Sequence, residues 1–247
     1  MAAHLAMRSG NPALTENTFR SERTLHGSEA MTVGGTVNKT ALLLAILLVT
    51  ATFTWNQGEA VGGFILVGAL GGLVVALVTV FKKHWAPVTA PLYAALQGLA
   101  LGGISNVFES NYPGIVSQAV FLTFGVLASL LMAYRSGWIR ATENFKLGVV
   151  AATGGILFVY VISFILGFFG VNIPLIHGGG PFGILFSIFV VVIAALNLVL
   201  DFDFIERGAE QGKPKYMEWY GAFGLMVTLV WLYLEILRLL AKLQQRR

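Results

Sequence analysis

"PFGILFSIFVVVIAALNLVL", residues 181–200, runs twenty residues without a charge, and the chain then places Asp201 and Asp203 one residue apart. A helix rises about 1.5 Å per residue, so about 20 apolar residues match the ~30 Å hydrocarbon core of a bilayer. A membrane-spanning β-strand would be half as long and would alternate in polarity, which this stretch does not. The run reads as one membrane-spanning helix that ends in two carboxylates.

Working outward, similar runs cover roughly 40–56, 63–81, 88–108, 114–133, 147–169, 181–203 and 219–241. The first is short, and Thr50, Thr52 and Thr54 weaken its end. The 247 residues are 56% hydrophobic and 11% charged, less than half the charge of a soluble domain, about 25%. The fold class this predicts is all-α, a polytopic bundle of seven transmembrane helices occupying 39–247. Residues 1–38 are polar, mixed in charge and without a sustained apolar period, and are expected to form a weakly ordered tail. No apolar segment follows the first basic residue, so a cleavable signal peptide is not expected. Met31 is a second candidate start.

Charge placement orients the bundle. Arg8, Arg20, Arg23 and Lys39 precede the first span, and Lys82 and Lys83 follow the second. Arg135, Arg140 and Lys146 follow the fourth, and Arg207, Lys213 and Lys215 follow the sixth. The alternate loops near 57–62, 109–113 and 170–180 contain no Lys or Arg, so twelve basic residues against none predict a cytoplasmic N-terminus. Seven crossings then put the basic tail "AKLQQRR" on the outside. Either the charge bias is overridden there or the last segment does not fully cross.

Gly68 and Gly72, and Gly98 and Gly102, are four apart, so each pair shares a helix face. This spacing predicts close helix packing and allows an oligomer.

The composition excludes several chemistries. With no cysteine there is no disulfide, thiol nucleophile or Cys-ligated zinc. No Gly-x-Ser-x-Gly, His-Glu-x-x-His or phosphate-binding loop occurs. His4, His26, His84 and His177 fall in the tail, an inner loop and an outer loop, too dispersed for a three-histidine metal site. "HGGG" at 177–180 resembles a lipase oxyanion loop but lacks a nucleophile elbow, and reads as an outer turn before Pro181. No enzyme, cofactor or nucleic-acid partner is expected.

Ionisable groups at membrane depth remain, and burying them is costly enough to make them functional candidates. Glu235 lies within "LVWLYLEILRLLAKL" with Arg238 at i+3, either a plain ion pair on one helix face or an acceptor for a cation or proton. Asp201 and Asp203 point about 200° apart on a helix. Asn197 shares the Asp201 face one turn deeper, whereas Asp203 goes with Glu206 and Arg207 towards the loop. Asp201 is therefore the inward candidate and Asp203 marks the water boundary. Gln97, Ser105, Asn106, Gln118, Ser129 and Ser163 read as interhelical hydrogen-bonding groups, and Gln97 is placed to line a path between close-packed helices.

"SGNPALTENTF" (9–19), "GGTVNKTALLL" (34–44), "APLYAALQGLALGGISNVFE" (90–109), "LNLVLDFDFIE" (196–206) and "MEWYGAFGLMVTLVWLYLEILRLL" (217–240) resemble the YccA-like bacterial branch of the Bax inhibitor (TMBIM) family. The resemblance covers 8–241 and implies a seven-helix bundle with the last helix central, in the inner membrane. It implies pH-sensitive calcium leak, gated by two acids on helices six and seven that share a proton. Asp201 matches the helix-six acid, with Leu200 in place of an aromatic residue and Asp203 as an extra acid. For helix seven, matching "LYLE" selects Glu235, whereas matching the following arginine selects Thr228. A helix starting near 217 would place Glu235 about 27 Å along it, far from Asp201 unless helix six runs well past that residue.

The resemblance thus implies Asp201, as a Ca²⁺ ligand, with Glu235, Asp203, Thr228, Asn197 and Gln97 along an ion pathway. Expected partners are the bilayer, calcium ions or protons, other membrane proteins and further copies of the chain. The alternative it implies is a non-conducting regulator of membrane proteins such as a membrane protease.

Overall fold

In a computed structural model, which describes residues 30–170 and 178–246, the apolar runs are seven long helices. They are α1 (Val33–Trp55), α2 (Val61–Phe81), α3 (Ala86–Asn111), α4 (Ile115–Arg135), α5 (Glu143–Phe168), α6 (Pro181–Glu210) and α7 (Met217–Gln244). Each is long and apolar enough to cross a membrane. The expected tail over 1–29, with His4 and His26, lies outside the described residues, as do His177 and its neighbours in 171–177.

Most helices extend beyond the apolar runs that reveal them, because polar residues can be helical wherever a cap or a partner satisfies the end. α1 starts at Val33, inside the segment read as tail, where the Thr32 hydroxyl accepts a 2.9 Å bond from the Gly35 N–H. The threonines near its other end do not weaken it. Thr50, Thr52 and Thr54 each donate to the carbonyl four residues earlier, which hides the hydroxyl within the helix. α5 gains its first turn from Thr142, whose hydroxyl accepts from the Phe145 N–H. α6 continues nine residues past Asp201 to Glu210, about 14 Å of further helix. The chain then turns at Gly212, whose φ of 59° is costly for residues with a Cβ. α7 has 28 residues, about 42 Å, so the last segment has full crossing length.

Burial separates the helices by role. In the most apolar window of α7, α3 and α6, 61%, 56% and 50% of residues are buried, against 17–22% for α1, α2, α4 and α5. The latter group presents side chains such as Leu70, Phe121 and Phe158 outward, as helices that face lipid do.

The described chain forms two compact units, and α6 and α7 contribute to both. One contains residues 30–111 with Asp203–Val227. Here the two glycine pairs act as their spacing predicts. A Cβ on Gly68 would meet the backbone at Leu96 and Ala100, and one on Gly98 or Gly102 would overlap α1 at Leu47, Thr50 or Ala51. Glycine therefore lets α3 lie directly against α1 and α2. Asn106 adds a 2.9 Å hydrogen bond to the Trp55 carbonyl, closing the end of α1. The other unit contains Tyr112–Phe202 and residues 228–246. Its apolar clusters centre on Ala141, Val149, Val199 and Leu200, and on Ile156, Val190 and Ile193.

Candidate functional site

Three polar side chains of α6, Ser187, Asn197 and Asp201, are fully buried. Asn197 and Asp201 are one turn apart on the same face, as their i, i+4 spacing requires. The Asn197 amide donates to the Thr153 hydroxyl of α5 at 2.9 Å and back to the Ile193 carbonyl at 2.8 Å. Its own oxygen is buried without a hydrogen bond among the described residues. Asp201 has no exposed surface at all. A carboxylate thus lies deep within a helix long and apolar enough to span a bilayer.

The register of α7 against α6 decides which α7 residue is level with it. Lys242 Nζ donates to the Gly183 carbonyl at 3.0 Å and to the Ser187 hydroxyl at 2.8 Å. The helices run antiparallel, so each residue back along α7 matches one forward along α6. Counting from this contact, Thr228 falls level with Asn197 to Asp201, and Thr228 is itself buried. Glu235 falls level with residues 190–194, roughly 10–16 Å from Asp201 along the axis. The continuation of α6 shortens the gap but does not close it, since about 14 Å of helix beyond Asp201 falls short of the about 27 Å at which Glu235 lies along α7.

Glu235 has other company. Its carboxylate is 2% exposed and accepts from Tyr160 Oη at 2.9 Å, Trp231 Nε1 at 3.3 Å and Arg238 Nη1 at 2.8 Å. Arg238 Nη1 also donates to Tyr160 Oη at 2.8 Å, and its guanidinium lies 5.4 Å from the Tyr160 ring centre. The i, i+3 pair legible in the sequence is present, enlarged by a tyrosine from α5 and a tryptophan one turn away on α7.

The remaining candidates belong to the unit of α1, α2 and α3. Asp203 accepts from Arg207 Nε at 3.0 Å and is partly buried, and the first exposed residue of α6 beyond it is Glu206. Gln97 is partly buried on α3, its amide oxygen against Gly72.

A larger ionic cluster in that unit escapes sequence reasoning. Glu218, in the first turn of α7, is fully buried. It accepts from the Thr32 N–H and hydroxyl, both at 2.9 Å, and pairs with Lys39 at 2.5 Å and Lys215 at 2.9 Å. The carboxylate presses on Gly35, where a Cβ would collide with it. It closes the N-terminus of α1, where free N–H groups and the helix dipole favour an anion. Beside it, the Met31 N–H donates to the Lys213 carbonyl at 2.6 Å. Only the Lys215–Glu218 spacing could have hinted at this cluster, since its other members are more than 170 residues apart.

Among the described residues no three His, Asp or Glu side chains gather into a metal site.

The family model described as Bax inhibitor 1 like matches residues 11–245. No curated protein and no solved structure matches the chain.

Proposed function

The chain belongs to the Bax inhibitor 1 like family, and from that premise we propose that this multi-pass membrane protein passes calcium ions down their gradient through a pathway centred on Asp201. The observation that carries the reading is the complete burial of this carboxylate in α6 with buried Asn197 one turn away. An acid at membrane depth attracts a cation or holds a proton. Ca²⁺ takes six to eight oxygens, several from carboxylates in tight sites. One carboxylate with the Asn197 oxygen and the Thr228 hydroxyl nearby in register suits a passing ion better than a resident one.

Proton occupancy of Asp201 sets the pH dependence. With its proton the residue is neutral and offers little to a cation. Without it, the negative charge lowers the barrier to entry. Acidification closes this path and alkalinisation opens it. Glu235 is not the second acid of the gate in this reading, because Arg238 already balances it. The N-terminus and the basic loops face the cytoplasm, and the membrane is the inner one.

The test is Ca²⁺ entry into proteoliposomes at mildly acidic and mildly alkaline pH, for wild type and Asp201→Asn. A wild-type flux that rises with pH and loses that dependence in the variant supports the reading. No flux above empty liposomes at either pH sinks it, and leaves the alternative of a non-conducting protein that modulates other membrane proteins.

A further inference from the structure

Glu235 is almost wholly buried, while the Arg238 side chain that neutralises it is 40% exposed. The guanidinium reaches both carboxylate oxygens through one nitrogen, Nη1, at 2.8 Å each. A two-nitrogen fork would be the strong form of such a pair. Tyr160 and Trp231 both aim their donors at Oε1, whereas Oε2 takes its hydrogen bond from Arg238. If Arg238 swings out along its flexible stem, it leaves a buried carboxylate with one oxygen still held in place and the other bare.

We propose that Glu235, Tyr160 and Trp231 form a binding site for a small monovalent cation, and that Arg238 is a tethered competitor for it. The charge arithmetic selects the ligand class. The site holds one carboxylate, and two turns further along α7 lies the buried Lys242 ammonium, fixed on Gly183 and Ser187. A single positive charge restores what the displaced guanidinium carried, whereas a divalent ion adds one more beside the fixed Lys242 ammonium. The Tyr160 hydroxyl adds a second oxygen once Arg238 no longer occupies it. Its aromatic face, already beside a cation, adds attraction for another. The inference stands apart from conduction at Asp201.

Trp231 reports on the site, since its indole N–H touches the carboxylate. The full chain in detergent is titrated with KCl or NaCl against choline chloride at constant ionic strength and alkaline pH. The Trp231 signal is isolated by subtracting a Trp231→Phe background. Arg238→Gln is expected to give a saturable emission change at a concentration at least about tenfold below wild type, which is a shift of about 1.4 kcal/mol. Glu235→Gln/Arg238→Gln is expected to give none. An Arg238→Gln protein that responds no more than wild type overturns the proposal, as does a double variant that responds equally. Should Arg238→Gln fail to fold, Arg238→Lys serves, with a response between the two expected and no gain over wild type fatal.

Discussion

Lys242 and Ser187 are joined by a 2.8 Å hydrogen bond between two buried side chains, and this contact sets α7 against α6 in one register. Sliding α7 by one turn would strip the ammonium of the Ser187 hydroxyl and the Gly183 carbonyl together, at a cost neither helix can recover from lipid. The consequence reaches Asp201, many residues away. Thr228 is level with it, and the acid at Glu235 is not.

Thr228→Asp should therefore install a second carboxylate beside Asp201. Two close carboxylates cannot both ionise cheaply. Ca²⁺ flux in proteoliposomes should therefore begin to fall at a higher pH than in wild type. An unchanged pH profile in a folded variant would mean that the two positions do not face each other.

Glu218→Gln removes the charge that two lysines and Thr32 surround. Breaking a buried pair from one side costs about 3–5 kcal/mol, but Lys39 and Lys215 are part-exposed and can turn to water. The expected loss is about 1–3 kcal/mol, read as a lower thermal transition in detergent. A transition matching wild type would show that the cluster contributes nothing to stability.

Gly35→Ala tests the same contact from the other side. Its Cβ would collide with the Glu218 carboxylate and push it off the α1 terminus. Destabilisation should resemble that of Glu218→Gln, and the double variant should lose less than the sum, because both changes break one interaction. Full additivity would separate them.

Two glycines on different helices should behave oppositely. Gly102→Ala drives a methyl into the Ala51 backbone, with an expected cost of about 1–3 kcal/mol. Gly154→Ala on α5 points into open space and should stay within about 0.5 kcal/mol of wild type. Thermal transitions of the two variants, measured side by side, check the contrast.

The number of helices was legible because each must carry about 20 apolar residues through lipid, and nothing else in a chain looks like that. The glycine pairs were legible for a similar reason, since i, i+4 spacing fixes a face. Helix ends were not. Residues 33–39 and 204–210 are helical because of a Thr32 cap and of turns that carry Arg207 to Asp203, and hydropathy sees neither. Of the site, the Glu235–Arg238 pair lies within one helical turn and could be read directly. Tyr160, 75 residues from Glu235, could not. Glu218 reads like any first-turn acid, because its partner Thr32 lies 186 residues away.

That long-range cap also orders events in time. A ribosome delivers Thr32 and the whole of α1 to the membrane long before it makes Glu218. Until then the Thr32 N–H and Lys39 lack their carboxylate partner. The first span is finished by the last, so a chain cut short before α7 would leave the Thr32 N–H and the Lys39 ammonium without the carboxylate that answers both.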